Sequence, residues 1–247
     1  MFFAAYARLL SSFSITKLEL LLHSQGTNDD FQKWALKLKE IVSSHADIHQ
    51  EMQGIIDGGI SKKGFLLQEI RLNAISSCIL NYTSSTEYFL VDLIQWKLND
   101  KRILKRALDL KEVVIKKFDI ADFETIEELR EKYILQLSGQ FSEGELWTKK
   151  ISNASKLFDI PFDKNQQIFK SIDSIWEQRN KFAHQNRINH LPISFVKSNL
   201  GVVEIIELID DSKFLEFCLG LIALMTEGLN EIYQFQQKVS DKWQPIT

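Results

Sequence analysis

Residues 75–96, ISSCILNYTSSTEYFLVDLIQW, contain the pattern that decides the fold. Mostly apolar side chains recur at alternating spacings of four and three, which places them on one side of an α-helix. The pattern predicts a long helix over 65–99 with two lines of core-facing residues. The first line is Ile75, Ile79, Tyr82, Thr86, Phe89, Leu93 and Trp96, and the second is Leu80, Thr83, Glu87, Leu90 and Ile94. A helix that is apolar on two sides is typical of the centre of a bundle.

The remaining segments also favour helices, so the predicted fold class is an all-α helical bundle. The chain of 247 residues has only 3 Pro and 10 Gly, which suits long helices. Further helices are predicted at about 15–24, 27–53, 103–118, 126–137, 144–157 and 165–184. A last helix follows Asp210, with a stripe of Phe214, Cys218, Leu221, Met225, Ile232 and Phe235. The β-branched run at 202–208 predicts one short strand or hairpin.

The clearest break in the chain is Asp57–Ser61, which contains two adjacent glycines. It predicts an N-terminal helical extension over 1–60 and a main helical domain over 61–247.

Charge and cysteine content limit the classes of function. The formal net charge of −3 excludes a polycation that coats nucleic acid over its whole surface. Any nucleic-acid contact must therefore be local, and the basic run Lys101–Arg106 is one candidate. Cys78 and Cys218 lie far apart within apolar helical patterns, which predicts buried, reduced thiols and a cytoplasmic location. The longest strongly apolar run, 217–225, is too short to span a bilayer, so no membrane association is expected.

The segment Trp176–His184, WEQRNKFAH, contains the main functional signal. At about 100° per residue, Arg179 falls near the centre of an apolar helix side. That side is formed by Ile168, Ile172, Ile175, Trp176, Phe182 and Ala183. A guanidinium stays charged and is costly to bury without a partner. Glu87, the ionised group on the second line of the long helix, is the predicted partner in a buried pair.

The six residues Arg179–His184 match a known motif, Arg followed after a short spacer by His, with Asn180 directly after the arginine. The segment resembles the HEPN superfamily (higher eukaryotes and prokaryotes nucleotide-binding), in its ribonuclease-type branch with the pattern R-N-x3-H. The resemblance covers roughly residues 70 to 240. It implies a helical bundle that dimerises with two motifs facing one cleft. It also implies metal-independent cleavage of RNA, in a toxin or antiviral defence setting.

In that reading the resemblance assigns the catalytic roles to three residues. His184 moves protons, Arg179 holds the phosphate, and Asn180 orients the phosphate or the imidazole. Glu87 and Glu177 are supporting carboxylates. In an unbroken helix, residues 179 and 184 lie about 140° apart, so one phosphate can be held by both only if the helix unwinds near Ala183 or a second copy of the chain completes the site. The resemblance implies the second copy. The expected partners are an RNA substrate, a second copy, and an antitoxin or sensor protein.

Other readings stay open. The chain could be a non-catalytic HEPN-like module that binds a partner protein or a nucleotide. It could also be a helical scaffold in which Arg179 and Glu87 form a core ion pair. His45 and His49 share one helix face, but Ala46 stands where zinc proteases have glutamate, so an exposed polar face is preferred. The sequence has no phosphate-binding glycine loop, and neither a metal nor a cofactor is expected.

Overall fold

A computed structural model describes residues 2–25, 30, 33, 36–37, 40, 65–113, 125–184, 190–192, 202–204 and 210–244. Within these residues the chain forms seven helices and one pair of short strands, which confirms the predicted all-α class. The helices are α1 Phe2–Gln25, α2 Phe65–Leu98, α3 Lys101–Leu110, α4 Ile126–Ser142, α5 Trp147–Phe158, α6 Gln167–His184 and α7 Asp211–Lys242. The strands are β1 His190–Pro192 and β2 Val202–Glu204.

Helix α2 occupies the centre of the bundle, as its two apolar lines predict. It contacts α1, α3, α4, α6 and α7. Most of the two predicted lines is buried, including Thr83 and Thr86, whose hydroxyls donate to backbone carbonyls of the preceding turn. Those local hydrogen bonds make the two threonines compatible with an apolar core. The exceptions are Leu80 and Trp96, which are exposed, and Glu87, which is partly buried.

Helix α1 begins at Phe2, so the predicted start near residue 15 is wrong. Leu9, Phe13, Thr16 and Leu20 are buried at helical spacing, and three of them belong to the same core cluster as α2 and α7. The earlier turns form because this stripe extends towards the N-terminus and packs along α2. The predicted helix over 27–53, the paired histidines at 45 and 49, and the break at 57–61 lie wholly or largely outside the described residues.

The ends of the short helices differ from the prediction by a few residues. Helix α4 runs on to Ser142, and Thr125 caps its start by accepting from the backbone N–H of Glu128. Helix α5 starts at Trp147 rather than at Gly144, because Gly144 has a φ of 153° that a helix does not allow. Helix α3 ends at Leu110, earlier than predicted, since Lys111 is already extended.

The end of the chain matches the prediction closely. Asp210 caps α7, where its side chain accepts from the backbone N–H of Lys213. All six residues of the predicted α7 stripe are buried. The predicted strand is present as Val202–Glu204, paired antiparallel with His190–Pro192. In the described part of the chain, none of the helices is sufficiently long and apolar to cross a membrane.

Candidate functional site

Helix α6 carries the Arg-Asn-x-x-x-His segment and is anchored by its preceding turns. Ile172, Ile175 and Trp176 are buried, and the indole of Trp176 stacks on that of Trp147 from α5, with ring centroids 5.0 Å apart. The helix continues unbroken to His184. Positions 179 and 184 are therefore about 140° apart around one axis. The side chain of His184 lies outside the described residues.

Glu87 on α2 is the centre of the site. Its Oε1 accepts a hydrogen bond from Nε1 of Trp176 at 3.0 Å, which fixes the position of the carboxylate. Two cations approach the same carboxylate from two other helices. Lys150 Nζ on α5 lies 3.4 Å from Oε1, and Arg179 Nη2 on α6 lies 3.8 Å from Oε2. Glu87 and Arg179 are thus partners, as the sequence predicted.

The predicted burial of this pair is wrong. The side chain of Arg179 is 33% exposed and that of Glu87 is 25% exposed. The apolar stripe correctly predicts which side of α6 carries Arg179, but the side chains become less buried towards the end of the helix. Residues 179–182 are all half-buried, whereas the preceding Gln178 is completely buried. The last turn extends to the rim of the bundle, where a guanidinium can keep part of its hydration.

The structure brings three of the five predicted site residues together. Arg179 Nη1 donates to Oδ1 of Asn180 at 3.0 Å, so these two neighbours and Glu87 form one cluster. Glu177 is exposed, and two residues along a helix place it about 200° from Arg179. It therefore lies on the opposite side of α6, and its predicted supporting role has no geometric basis in a single chain.

Lys150 and Trp176 were not assigned to the site by sequence reasoning. The sequence predicts Trp176 as a residue of the apolar side of α6. Its ring is indeed buried, and its N–H donates a hydrogen bond to Glu87. Lys150 comes from α5, and the local sequence there offers no signal that one lysine faces α2. The contact depends on how α5 packs across α6, which is a property of the tertiary structure.

The cluster opens into a cleft of about 290 Å³. Its lining residues come from α2, α4, α5 and α6 and are Ser84, Glu87, Tyr88, Leu90, Val91, Ser142, Lys150 and Arg179. The lining contains two cations and three hydroxyl side chains beside the carboxylate of Glu87, and an anion such as a phosphate that competes with Glu87 could bind to the cations. Across the described residues, no group of three or more His, Cys, Asp or Glu side chains is placed to hold a metal ion.

The helical bundle agrees with the comparison against protein families. The model of the family RiboL-PSP-HEPN matches residues 59–218, which is more than half of the chain. The chain belongs to this HEPN family. Neither a curated protein nor a solved structure matches it.

Proposed function

We propose that the chain is a metal-independent endoribonuclease of the R-N-x3-H type, in which Arg179, Asn180 and His184 form the catalytic set. The observation that carries the proposal is the position of Arg179. A purely structural ion pair would be expected to be buried and closed, yet Arg179 is one-third exposed in a cleft that it shares with a second cation, Lys150. A partly exposed guanidinium and a second cation that line one cleft suit a phosphodiester.

The proposed reaction is an internal transesterification. The 2′-hydroxyl of the RNA loses its proton to the imidazole of His184, and its oxygen attacks the adjacent phosphorus. The bond from phosphorus to the 5′-oxygen then breaks, and that oxygen takes up a proton. The products are a 2′,3′-cyclic phosphate and a 5′-hydroxyl end. Arg179 stabilises the negative charge that grows on the phosphoryl oxygens, and Asn180 orients the guanidinium to which it is hydrogen-bonded.

A second copy of the chain is part of the proposal. Because α6 is unbroken to His184, positions 179 and 184 of one chain lie about 140° apart around the helix axis, which does not favour one phosphate held by both. A two-fold axis beside the last turn of α6 would bring Arg179 of one copy towards His184 of the other. A monomeric mass at micromolar concentration, in a preparation that still cleaves RNA, would contradict this arrangement.

The second candidate is a non-catalytic HEPN module that binds a partner protein or a nucleotide. The observation in its favour is that Glu87 already balances both Arg179 and Lys150 within one chain. If the chain is a nuclease, Glu87 holds the side chains of Arg179 and Lys150 in place, and a bound phosphate has to compete with Glu87 for them.

Cleavage assays separate the two candidates. Purified protein with RNA in EDTA should yield 2′,3′-cyclic phosphate ends, and a substrate with 2′-deoxy at the cleaved position should be inert. His184→Ala and Arg179→Ala should both abolish cleavage, whereas Lys170→Ala, an exposed position on the same helix, should have no effect. A requirement for magnesium, or products with a 5′-phosphate, would rule out His184 as the proton carrier.

The proposed cellular role is that of a toxin or antiviral defence effector whose activity is held in check by an antitoxin or sensor protein. Expression of the wild-type chain alone is expected to arrest growth, and His184→Ala is expected to relieve the arrest. Arrest by both chains to the same extent would favour the binding module.

A further inference from the structure

A second and larger cleft lies over the start of α5, next to the Glu87–Arg179 site. Its volume is about 920 Å³, and it is open to solvent along its length. Four lysines line it, Lys149, Lys150, Lys156 and Lys164. Lys149 and Lys156 are exposed and seven residues apart on α5, so both project from the same face of that helix.

Three carboxylates also line this cleft, and they differ in how they are engaged. Asp173 from α6 is already engaged, because its carboxylate accepts hydrogen bonds from both the backbone N–H and the hydroxyl of Thr148. That interaction satisfies a free N–H in the first turn of α5 and fixes α5 against α6. Glu143 and Glu145 are exposed on the loop before α5 and also line the cleft.

The loop before α5 is also shaped around one of the lysines. Gly144 has a φ of 153°, and a Cβ there would lie 2.8 Å from Cγ of Lys149. Only a glycine allows the backbone to pack this closely against the lysine stem in that conformation. The stem of Lys149 therefore packs closely against the backbone of this loop.

Lys150 joins the two clefts, because it lines both of them. Its side chain is only 14% exposed, and its ammonium group lies between Glu87 and the carbonyl oxygen of Ser142. Lys150 therefore links Arg179 to the lysines of the larger cleft, whose lining holds four lysines and three carboxylates. Positively charged grooves of this kind follow the phosphates of a single strand without reading its bases.

We infer that the lysine cleft over α5 binds the backbone of the RNA strand that flanks the cleaved phosphate, with Lys149 and Lys156 as phosphate contacts. The inference rests on the proposed function and deepens it, because it assigns a substrate path to residues outside the Arg-Asn-x-x-x-His segment. The lining carries four lysines against three carboxylates, so the cleft offers local cations on a chain whose net charge is −3.

The test measures binding separately from cleavage. The probe is a single-stranded 2′-O-methyl oligonucleotide, which lacks the attacking hydroxyl and remains intact. Its affinity is titrated against salt for the wild type, for Lys149→Gln/Lys156→Gln, and for the matched control Lys101→Gln/Lys105→Gln. The control removes the same charge from two exposed positions of α3, within the basic run singled out from the sequence.

Loss of two phosphate contacts should reduce the slope of log affinity against log salt by about 1.4 for a single strand. The same loss corresponds to roughly tenfold weaker binding at about 0.15 M salt. The control should retain the wild-type slope. With cleavable RNA, the α5 variant should raise KM and leave kcat near the wild-type value, since neither lysine touches the reacting atoms. Unchanged melting temperatures would show that both variants fold.

The outcomes separate this inference from the proposed function. If the wild type cleaves RNA but the two double variants bind the probe equally well, the lysine cleft is not the RNA path and the nuclease assignment stands. If the wild type never cleaves RNA but the α5 variant loses binding, the path stands and the nuclease assignment fails. If the α5 variant loses affinity for polyglutamate but not for the probe, the cleft binds an acidic protein and the inference is overturned.

Discussion

At the scale of single residues, the comparison of two arginines corrects the expectation drawn from the sequence. Arg179 was predicted to be a charge in the core and lies at the rim. The side chain of Arg71 on α2 is completely buried, with Nη2 2.5 Å from Asp211 of α7 and its guanidinium 4.5 Å from the centre of the Phe214 ring. Arg71 links the first turns of two long helices, whereas Arg179 faces a cleft.

Matched substitutions should show this difference in stability. Arg71→Ala removes a completely buried side chain and is expected to lower the free energy of unfolding by about 2–5 kcal/mol, mainly through lost packing, since its partner Asp211 is itself 47% exposed. Arg179→Ala removes a partly exposed pair and should cost about 1 kcal/mol or less. Urea denaturation of the two variants gives both values. Equal costs would mean that Arg179 is a structural residue after all.

The two cysteines provide a second prediction at this scale. Both are free and buried, as the sequence predicted. Burial raises the pKa of Cys78 to about 12 and that of Cys218 to about 12. A raised pKa favours the neutral thiol, so at pH 8 neither residue offers a reactive thiolate. Iodoacetamide should therefore leave the folded protein unmodified and alkylate both residues in guanidinium chloride. Rapid labelling of either thiol in the native protein would contradict the packing of α2 against α7.

At the scale of elements, the closest approach between helices occurs at Gly228 of α7. A Cβ at this position would collide with the hydroxyl of Tyr82 from α2 and would lie 3.3 Å from Cδ1 of Ile172 from α6. Helices α2, α6 and α7 therefore meet at Gly228, where the missing side chain leaves room for Tyr82 and Ile172. The Tyr82 hydroxyl is buried there and has no hydrogen-bond partner among the described residues.

Two Gly→Ala substitutions should therefore have opposite signs. Gly228→Ala is expected to destabilise the protein by roughly 1–3 kcal/mol through overpacking. Gly139→Ala, in the exposed middle of α4 with nothing within 4 Å of the added Cβ, should stabilise it by about 0.5–1 kcal/mol. Thermal denaturation measures both. Stabilisation by Gly228→Ala would show that α7 does not approach α2 so closely.

Removing the Tyr82 hydroxyl supplies the control for that clash. Tyr82→Phe alone should be neutral or slightly stabilising, because a buried hydroxyl without a partner contributes no net hydrogen bond. In combination with Gly228→Ala it should recover part of the lost stability, since the added methyl group then meets a smaller neighbour. Strictly additive effects in this double-mutant cycle would place the clash elsewhere.

At the scale of the whole molecule, α1 belongs to the same core as the matched HEPN region. The family match begins at residue 59, yet Leu9, Phe13 and Leu20 are buried in one cluster with residues of α2 and α7. The predicted division into 1–60 and 61–247 remains a prediction about domains, but the packing makes α1 a structural part of the bundle.

A truncated chain tests this dependence. The fragment 61–247 would expose to water the apolar surface of α2 and α7 that α1 covers. Exposed apolar surface of this kind weakens the packing of the bundle. The fragment should bind a hydrophobic dye and unfold with lower cooperativity than the full chain. Adding back a peptide of residues 1–25 should restore part of the stability. Full cooperativity of the fragment alone would make 1–60 an independent extension.

The sequence by itself determined the all-α class, the long central helix, most of the buried stripes, the capped start of α7 and the segment that carries the candidate site. These are local properties, because helical periodicity and capping depend on residues a few positions apart. It also paired Glu87 with Arg179, since each was the conspicuous charge on an apolar line.

Only the tertiary structure decided how deep that pair lies and what else surrounds it. The direction of a side chain follows from its position on the helix, but its depth depends on where the neighbouring helices end. Arg179 is one-third exposed because burial decreases over the last two turns of α6. Lys150 and Trp176 join Glu87 because α6 packs against α2 and α5 packs against α6. Contacts between residues more than sixty positions apart leave no periodic trace in the sequence, so the packed fold alone assembles this cleft.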